Sequence, residues 1–283
     1  MLARRLPSIL PDLTFDEALE ITKIHSISGL LSEDTPFIFT RPFRSPHHTI
    51  TETSLVGGGR FPKPGEVSLA HYGVLFLDEL TEFHKSTLEV LRGPLEDKMI
   101  TVSRVDFSTT YPCNFMFVAS MNPCPCGYYG SKEKQCTCRE DQIQKYIHKI
   151  SGPLLDRIDI HIEVESVNYQ KLGNDLPSES SSEIRKRVNN ARQLQLERYK
   201  NYHIFSNSEL TPKLISKYCK LSQESKHILE EAFNRLGLSA RAYSRILKVA
   251  RTIADLDNSL HIQTHHLAEA IQYRSLDRKY WCR

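Results

Sequence analysis

Asp78 and Glu79 stand at the end of a short apolar run, Gly73-Val74-Leu75-Phe76-Leu77. A run that is apolar on both faces reads as a buried parallel strand, and two carboxylates at its end would sit together at the strand tip. There Asp78 can hold a Mg²⁺ ion, directly or through water. Glu79 can orient and deprotonate a water attacking a γ-phosphate. The same pair can also simply open the next helix and complement its dipole. A second apolar run, Asn114 to Ser120, leads into Met121-Asn122-Pro123. An amide at Asn122, beside the carboxylates, can position that water, or it can be an ordinary turn residue before proline. Arg157 lies in Ser151-Gly152-Pro153-Leu154-Leu155-Asp156-Arg157-Ile158-Asp159. It can stabilise charge on a transferring phosphoryl group in a neighbouring copy, or form a local Asp-Arg ion pair. Cys124-x-Cys126 and Cys136-x-Cys138 share one loop. Two such pairs can supply a tetrahedral Cys₄ zinc site, or remain unliganded thiols.

The elements that must position these residues change character along the chain. Asp12 to Ile27 carries a helical apolar stripe, and Pro7 and Pro11 break the segment before it. Phe37-Ile38-Phe39 is a short strand candidate, and Arg41 to Gly65 is rich in turn-forming residues. After the Val74–Leu77 strand, Leu80 to Leu95 reads as a helix. Met99 to Val105 and Asp106 to Tyr111 read as a hairpin, and Ile158 to Val164 alternates like a third strand. Past Val167 the composition becomes that of a linker, with Gly173-Asn174-Asp175-Leu176-Pro177 and a serine-rich stretch. Helices alone follow, over Glu183–Asn201, Pro212–Cys219, Gln223–Arg235, Ala240–Asp255 and Thr264–Arg274. Ser222 and Ser239 read as N-caps and Gly237 as a C-terminal stop. The expected division is residues 1–167, with a cysteine-rich loop at 122–140, then a linker over 168–182 and a helical domain over 183–283.

Composition narrows the function classes. The 283 residues carry 37 Lys+Arg against 34 Asp+Glu, a net charge of +3, which excludes a binding surface that is basic all over but not a local basic patch. No apolar run approaches the ~18 residues of a membrane span, and no secretory signal is evident in Met1-Leu2-Ala3-Arg4-Arg5-Leu6-Pro7. A cytoplasmic protein is therefore expected. Of the seven cysteines, Cys113, Cys219 and Cys282 are scattered and read as packing residues. His47-His48 and His71 read as loop-ordering or nucleotide-lining residues, and His265-His266 as structural. Lys98 and Arg104, in the hairpin, are the candidate DNA contacts, and Arg185, Lys186, Arg187 and Arg192 read as a solvated helix face.

Taken together, the chain resembles the magnesium-chelatase-like AAA+ ATPases of the YifB/ComM group. The stretches that carry this are Arg41-Pro42-Phe43-Arg44-Ser45-Pro46-His47-His48, Gly65-Glu66-Val67-Ser68-Leu69-Ala70-His71, Val74-Leu75-Phe76-Leu77-Asp78-Glu79, Asn122-Pro123-Cys124-Pro125-Cys126-Gly127, Gly152-Pro153-Leu154-Leu155-Asp156-Arg157-Ile158-Asp159 and Arg241-Ala242-Tyr243-Ser244-Arg245. The resemblance implies an α/β fold with an AAA+ P-loop NTPase-type parallel sheet, followed by an all-α lid. It casts Asp78 and Glu79 as Walker B, Asn122 as sensor 1, Arg157 as the arginine that reaches a neighbouring subunit, and Arg241 as a sensor 2 contact to ATP phosphate. It implies ATP and Mg²⁺ as cofactors, a homo-oligomeric ring of six copies, and DNA branch migration in recombination and natural transformation.

One departure is large. No G-x-x-x-x-G-K-[ST] occurs in the sequence, and Gly57-Gly58-Gly59-Arg60 leads into Phe61-Pro62-Lys63-Pro64 rather than a helix. The resemblance places Met1 just after the missing phosphate loop, so the chain is expected to be the C-terminal portion of a longer protein, without strand 1 and Walker A. A separate N-terminal fragment is then a candidate partner. In the 5-1-4-3-2 strand order of such sheets, the sensor 1 strand and Ile158–Val164 would face each other across a gap. The expectation is a chain inactive alone. The alternatives are a non-catalytic module that joins a ring, and a truncated gene product without function.

Overall fold

The computed structural model describes residues 2–59, 61–103, 107–131, 134–164, 179–202 and 204–274. The chain forms two compact units, Met1–Arg157 and Ile158–Arg283.

The first unit is built on a three-stranded parallel sheet. Strand β1 (Phe43–Arg44) pairs with β4 (Val74–Leu77), and β4 pairs with β7 (Met116–Ala119), with Val74 opposite Met116 and Leu77 opposite Ala119. Val74, Leu75 and Leu77 are fully buried, as a central strand covered on both faces requires. The sheet closes tightly at Gly73, where a Cβ would lie 2.1 Å from the Pro42 carbonyl oxygen. Two small antiparallel pairs complete the strands: β2 (Gly57–Gly58) with β3 (Lys63–Pro64), and β5 (Met99–Ser103) with β6 (Ser108–Pro112).

Helix Phe15–Ile27 begins at Thr14, whose hydroxyl accepts from the Glu17 amide while the Glu17 carboxylate accepts from the Thr14 amide. His71 joins this helix to the sheet. Its Nδ1 accepts the Asn114 amide at 3.0 Å, so its Nε2–H donates to Glu20, also at 3.0 Å.

Three sequence expectations are corrected here. Phe37-Ile38-Phe39 is not a strand: the Ile38 amide donates to the Thr22 hydroxyl, and the edge strand is Phe43–Arg44. Leu80–Leu95 is not one helix but a 3₁₀ turn, Leu80–Glu82, and two short helices, Lys85–Glu89 and Arg92–Asp97. Phe83 is extended between the first two, and Pro94, which has no N–H to give, sits in the first turn of the last. Ile158–Val164 is not a strand either. A strand exists by pairing, and here the His161 amide donates to the Tyr273 carbonyl while Arg274 binds the Ile158 carbonyl. Ile160, Ile162 and Val164 accordingly remain exposed. Among the described residues β7 is paired on one side only, to β4.

The second unit is helical over Ser181–Tyr199, Pro212–Tyr218, Gln223–Leu236, Ala240–Leu256 and Thr264–Gln272. Ser222 and Ser239 cap their helices, and Gly237 ends one in the left-handed conformation at φ 63°. Its core gathers Leu214, Leu229, Ile246, Leu247, Ala250 and Leu267 around the central helix Ala240–Leu256. Within that core Asp255 accepts from Arg198, Arg251 and Asn207, and Tyr199 donates to Asn207 at 2.6 Å. Most of the expected linker over 168–182, namely residues 168–178, lies outside the described residues, as do 165–167.

Candidate functional site

The site is set by two adjacent parallel strands ending together. The Ser120 amide donates to Leu77 O at 3.0 Å, and the Leu80 amide donates to Ser120 O at 2.8 Å. This extends the β4–β7 ladder to the tips and brings Asp78 against Ser120, whose hydroxyl donates to Asp78 Oδ1. Glu79 follows in the left-handed region at φ 52°, ψ 53°. Such a backbone is uncommon for a residue with a side chain. Its amide donates to Asp78 Oδ1 at 3.2 Å. Both carboxylates are exposed at the strand tip, as is Asn122. In open α/β sheets ligands bind at this carboxyl end.

Glu79 and Asn122 share an open cleft with Gln142, Lys145, Tyr146 and Lys149. The last four come from, or just beyond, helix Glu140–Ile147, which buries Ile143, Tyr146 and Ile147 and so turns Lys145 outward. Burial pushes the Tyr146 phenol up. Asp78 with the Ser120 hydroxyl offers the hard oxygen donors that Mg²⁺ takes. The residues present therefore fit that ion.

Arg157 is seated within its own unit. Its Nε donates to Arg92 O at 3.1 Å, its Nη1 to Pro153 O at 2.7 Å, and its Nη2 pairs with Glu96. The side chain is 8% exposed. Arg241 lies in the other unit, exposed in the first turn of Ala240–Leu256.

The four loop cysteines converge. Cys124, Cys126 and Cys136 have Sγ separations of 3.4, 3.7 and 3.6 Å, and all four sulfurs, Cys138 included, lie within 4.8 Å of one another. A tetrahedral zinc with Zn–S of ~2.3 Å places its sulfurs about 3.8 Å apart, so the cluster fits the ion. Backbone amides aim at the sulfurs: Tyr129 N donates to Cys124 Sγ at 3.3 Å. Amides of Tyr128 and Thr137 pull Cys126 down to about 5. The Cys138 amide favours a Cys136 thiolate, but desolvation and the neighbouring sulfurs outweigh it and push that thiol up to about 12. Thiols this close cannot all ionise without a cation among them.

Comparison with known sequences settles the lineage. The family model described as "Magnesium chelatase, subunit ChlI" matches residues 1–172, and "Magnesium chelatase, subunit ChlI C-terminal" matches residues 178–274. The chain belongs to the magnesium chelatase ChlI family. Within this family it is 45% identical over 279 residues to YifB of Escherichia coli K12, covering 98% of this chain and 54% of that protein. It is 44% identical over 281 residues to the competence protein ComM of Haemophilus influenzae, covering 98% of this chain and 53% of that protein. A magnesium-chelatase 67 kDa subunit of Chlorobaculum parvum is more distant, 27% identical over 107 residues that make up 36% of this chain and 17% of that protein. The chain spans about half the length of the curated relatives it matches first.

Against this ChlI-family frame, the structure sorts the remaining candidates. Lys98 sits at the root of the β5–β6 hairpin, left-handed at φ 55° as it ends helix Arg92–Asp97. Arg104 and Cys282 lie outside the described residues. Cys113 and Cys219 are buried thiols, pushed up to about 12 and about 11 by desolvation. His47 bonds Thr49, and His48 packs edge-on against Phe83. His266 Nδ1 accepts the Gln263 amide, so its Nε2–H faces Asp257. That proton makes the Asp257–His265–His266 group a helix-start brace rather than a ligand set. Ser120, Glu96 and Lys145 had no assigned role in the sequence. Only Lys145 carried a signal, as a basic residue on the exposed face of an amphipathic helix.

Proposed function

We propose that this magnesium chelatase ChlI-family chain carries the carboxylate, sensor and lid portion of an AAA+ ATPase that remodels DNA. The convergence of Asp78, Glu79, Ser120 and Asn122 at two neighbouring strand tips is the observation that carries the reading. Asp78, oriented by the Ser120 hydroxyl, holds Mg²⁺. Glu79 accepts a proton from the attacking water, and Asn122 fixes that water's position. Bound ATP and Mg²⁺ would supply the reactive phosphoryl group and neutralise its charge. Arg157 acts across an interface between copies in a ring, a hexamer on our reading, after leaving Glu96. Arg241 contacts phosphate from the lid. The four loop cysteines hold one structural zinc, which fixes the segment that begins at Asn122. DNA branch migration in recombination and natural transformation is the work that the YifB/ComM resemblance implies, and the relative named a competence protein supports the competence part of it. No described helix is long and apolar enough to cross a membrane, and we place the protein in the cytoplasm. We keep the division at 1–167, 168–182 and 183–283 as a functional one of core, linker and lid.

The test is to join this chain to the part of the E. coli relative that it does not cover. Phosphate release from ATP should then depend on Mg²⁺. Glu79→Gln should bind ATP without turnover, because an amide cannot take the water's proton. Asp78→Asn should weaken the Mg²⁺ dependence. A joined protein that assembles and binds ATP but hydrolyses none would instead support the non-catalytic ring module.

A further inference from the structure

One wall of the cleft that holds Glu79 and Asn122 is basic. Lys145 and Lys149 both line it, one helical turn apart, from helix Glu140–Ile147 and the residues just beyond. Burial of Ile143, Tyr146 and Ile147 fixes the roll of this helix, so the two lysines share its exposed side. The cleft has a volume of about 520 Å³, within the range of small-molecule sites.

The two cations are not equivalent. Lys149 Nζ stands 3.9 Å from a Glu82 carboxylate oxygen and 5.5 Å from the centre of the Tyr146 ring. Lys145 has no hydrogen bond or ion pair among the described residues. The acids on its own helix are engaged elsewhere. Asp141, one turn before it, pairs with Arg139 at 3.2 Å, and Glu140 accepts from Gln144 at 3.1 Å. The helix dipole favours a lysine in this last turn wherever it lies. What the dipole does not require is that the lysine line the cleft of Glu79 and Asn122.

The ligand follows from what else the cleft contains. Glu79 and Asn122 handle the attacking water, and that water must lie in line with the terminal phosphorus of ATP. A cation in the same cleft therefore meets the γ-phosphoryl oxygens rather than the base, the ribose or the α-phosphate. An ammonium on a flexible stem, with three donors, suits that group.

We propose that Lys145 is a γ-phosphate contact that makes the site prefer ATP to ADP. This rests on the ATPase reading above.

The test uses the chain joined to the remainder of the E. coli relative and carrying Glu79→Gln, in which ATP stays intact. Calorimetry with Mg²⁺ present measures the affinities for ATP and ADP. Lys145→Gln should weaken ATP binding about ten-fold, the loss of one hydrogen bond to a charged group, and leave ADP binding as it was. Lys145→Arg should keep most of the preference for ATP. The side chain is exposed, so circular dichroism should not change. Equal weakening for the two nucleotides, or none for either, would overturn the contact. Mg²⁺-dependent hydrolysis by the joined protein with Glu79 intact would then leave the ATPase reading standing. An assembled joined protein that binds neither nucleotide would overturn both. If the joined protein does not assemble, the 283-residue chain decides. Magnesium triphosphate should protect Lys145 from acylation, read by mass spectrometry against Lys213 and Lys226, which are exposed in the helical unit. Equal labelling of Lys145 with and without triphosphate would overturn the contact.

Discussion

The Arg157 guanidinium pairs with the Glu96 carboxylate across 61 residues of sequence, tying the last turn of the first unit to the helix that leads into the hairpin. With the Arg92 and Pro153 carbonyls, this accounts for three bonds from one nearly buried cation.

Arg157→Ala should therefore destabilise the isolated chain by about 1–3 kcal/mol in urea unfolding, because hydrogen bonds to a charged group are lost. Glu96→Gln should cost less. If Arg157 served only a neighbouring subunit's nucleotide, the isolated chain would unfold at the same urea concentration with or without it.

Zinc should be present at one equivalent in the purified chain, and Cys136→Ser with Cys138→Ser should remove it. Chelation should loosen the 122–140 loop, read as faster amide exchange there, while the helical unit keeps its protection. Well-folded protein holding under half an equivalent would refute the site.

Acid should weaken the first unit through His71. Burial, the largest effect, holds its imidazole below the ordinary 6.5, against the opposing pull of Glu20 and Glu17. A folded state that resists protonation has its full stability above pH 6.5 and loses it as pH falls from there through the lowered folded value. The slope is at most about 1.4 kcal/mol per pH unit for one group. His25, held low chiefly by burial, acts in the same direction. His71→Gln should flatten the slope in a thermal unfolding series between neutral and mildly acid pH.

Asp255→Ala should cost the helical unit about 3–5 kcal/mol, because it leaves the buried Arg251 without its carboxylate. Helical circular dichroism against urea measures this. Asp257→Ala, on the exposed partner of His266, should cost much less.

The helical unit was legible because its punctuation is local. Ser222, Ser239 and Gly237 mark helix ends whatever packs on them, and the five helices fall within a few residues of expectation. The carboxylate tip was legible because β4 is apolar on both faces. The Leu80–Leu95 segment misled because its apolar content masked the breaks at Phe83-His84 and Val90-Leu91. Ile158–Val164 misled because alternation records which side chains could be covered, not whether a neighbour is there to cover them. The Ser120–Asp78 and Arg157–Glu96 pairs join residues 42 and 61 positions apart. No periodicity encodes such distances.

The root of the β5–β6 hairpin lies between the two halves of the site: Lys98 ends the segment that begins at Asp78, the Cys113 amide binds Lys98 O at 2.9 Å, and β7 starts three residues later. Five paired residues make an arm of about 17 Å. A rotation of about 10° at that root would swing the tip by ~3 Å, roughly one residue's rise along a strand. The hairpin is in this sense an arm whose pivot lies on the stretch of chain that joins the tip carrying Asp78 to the strand leading to Asn122.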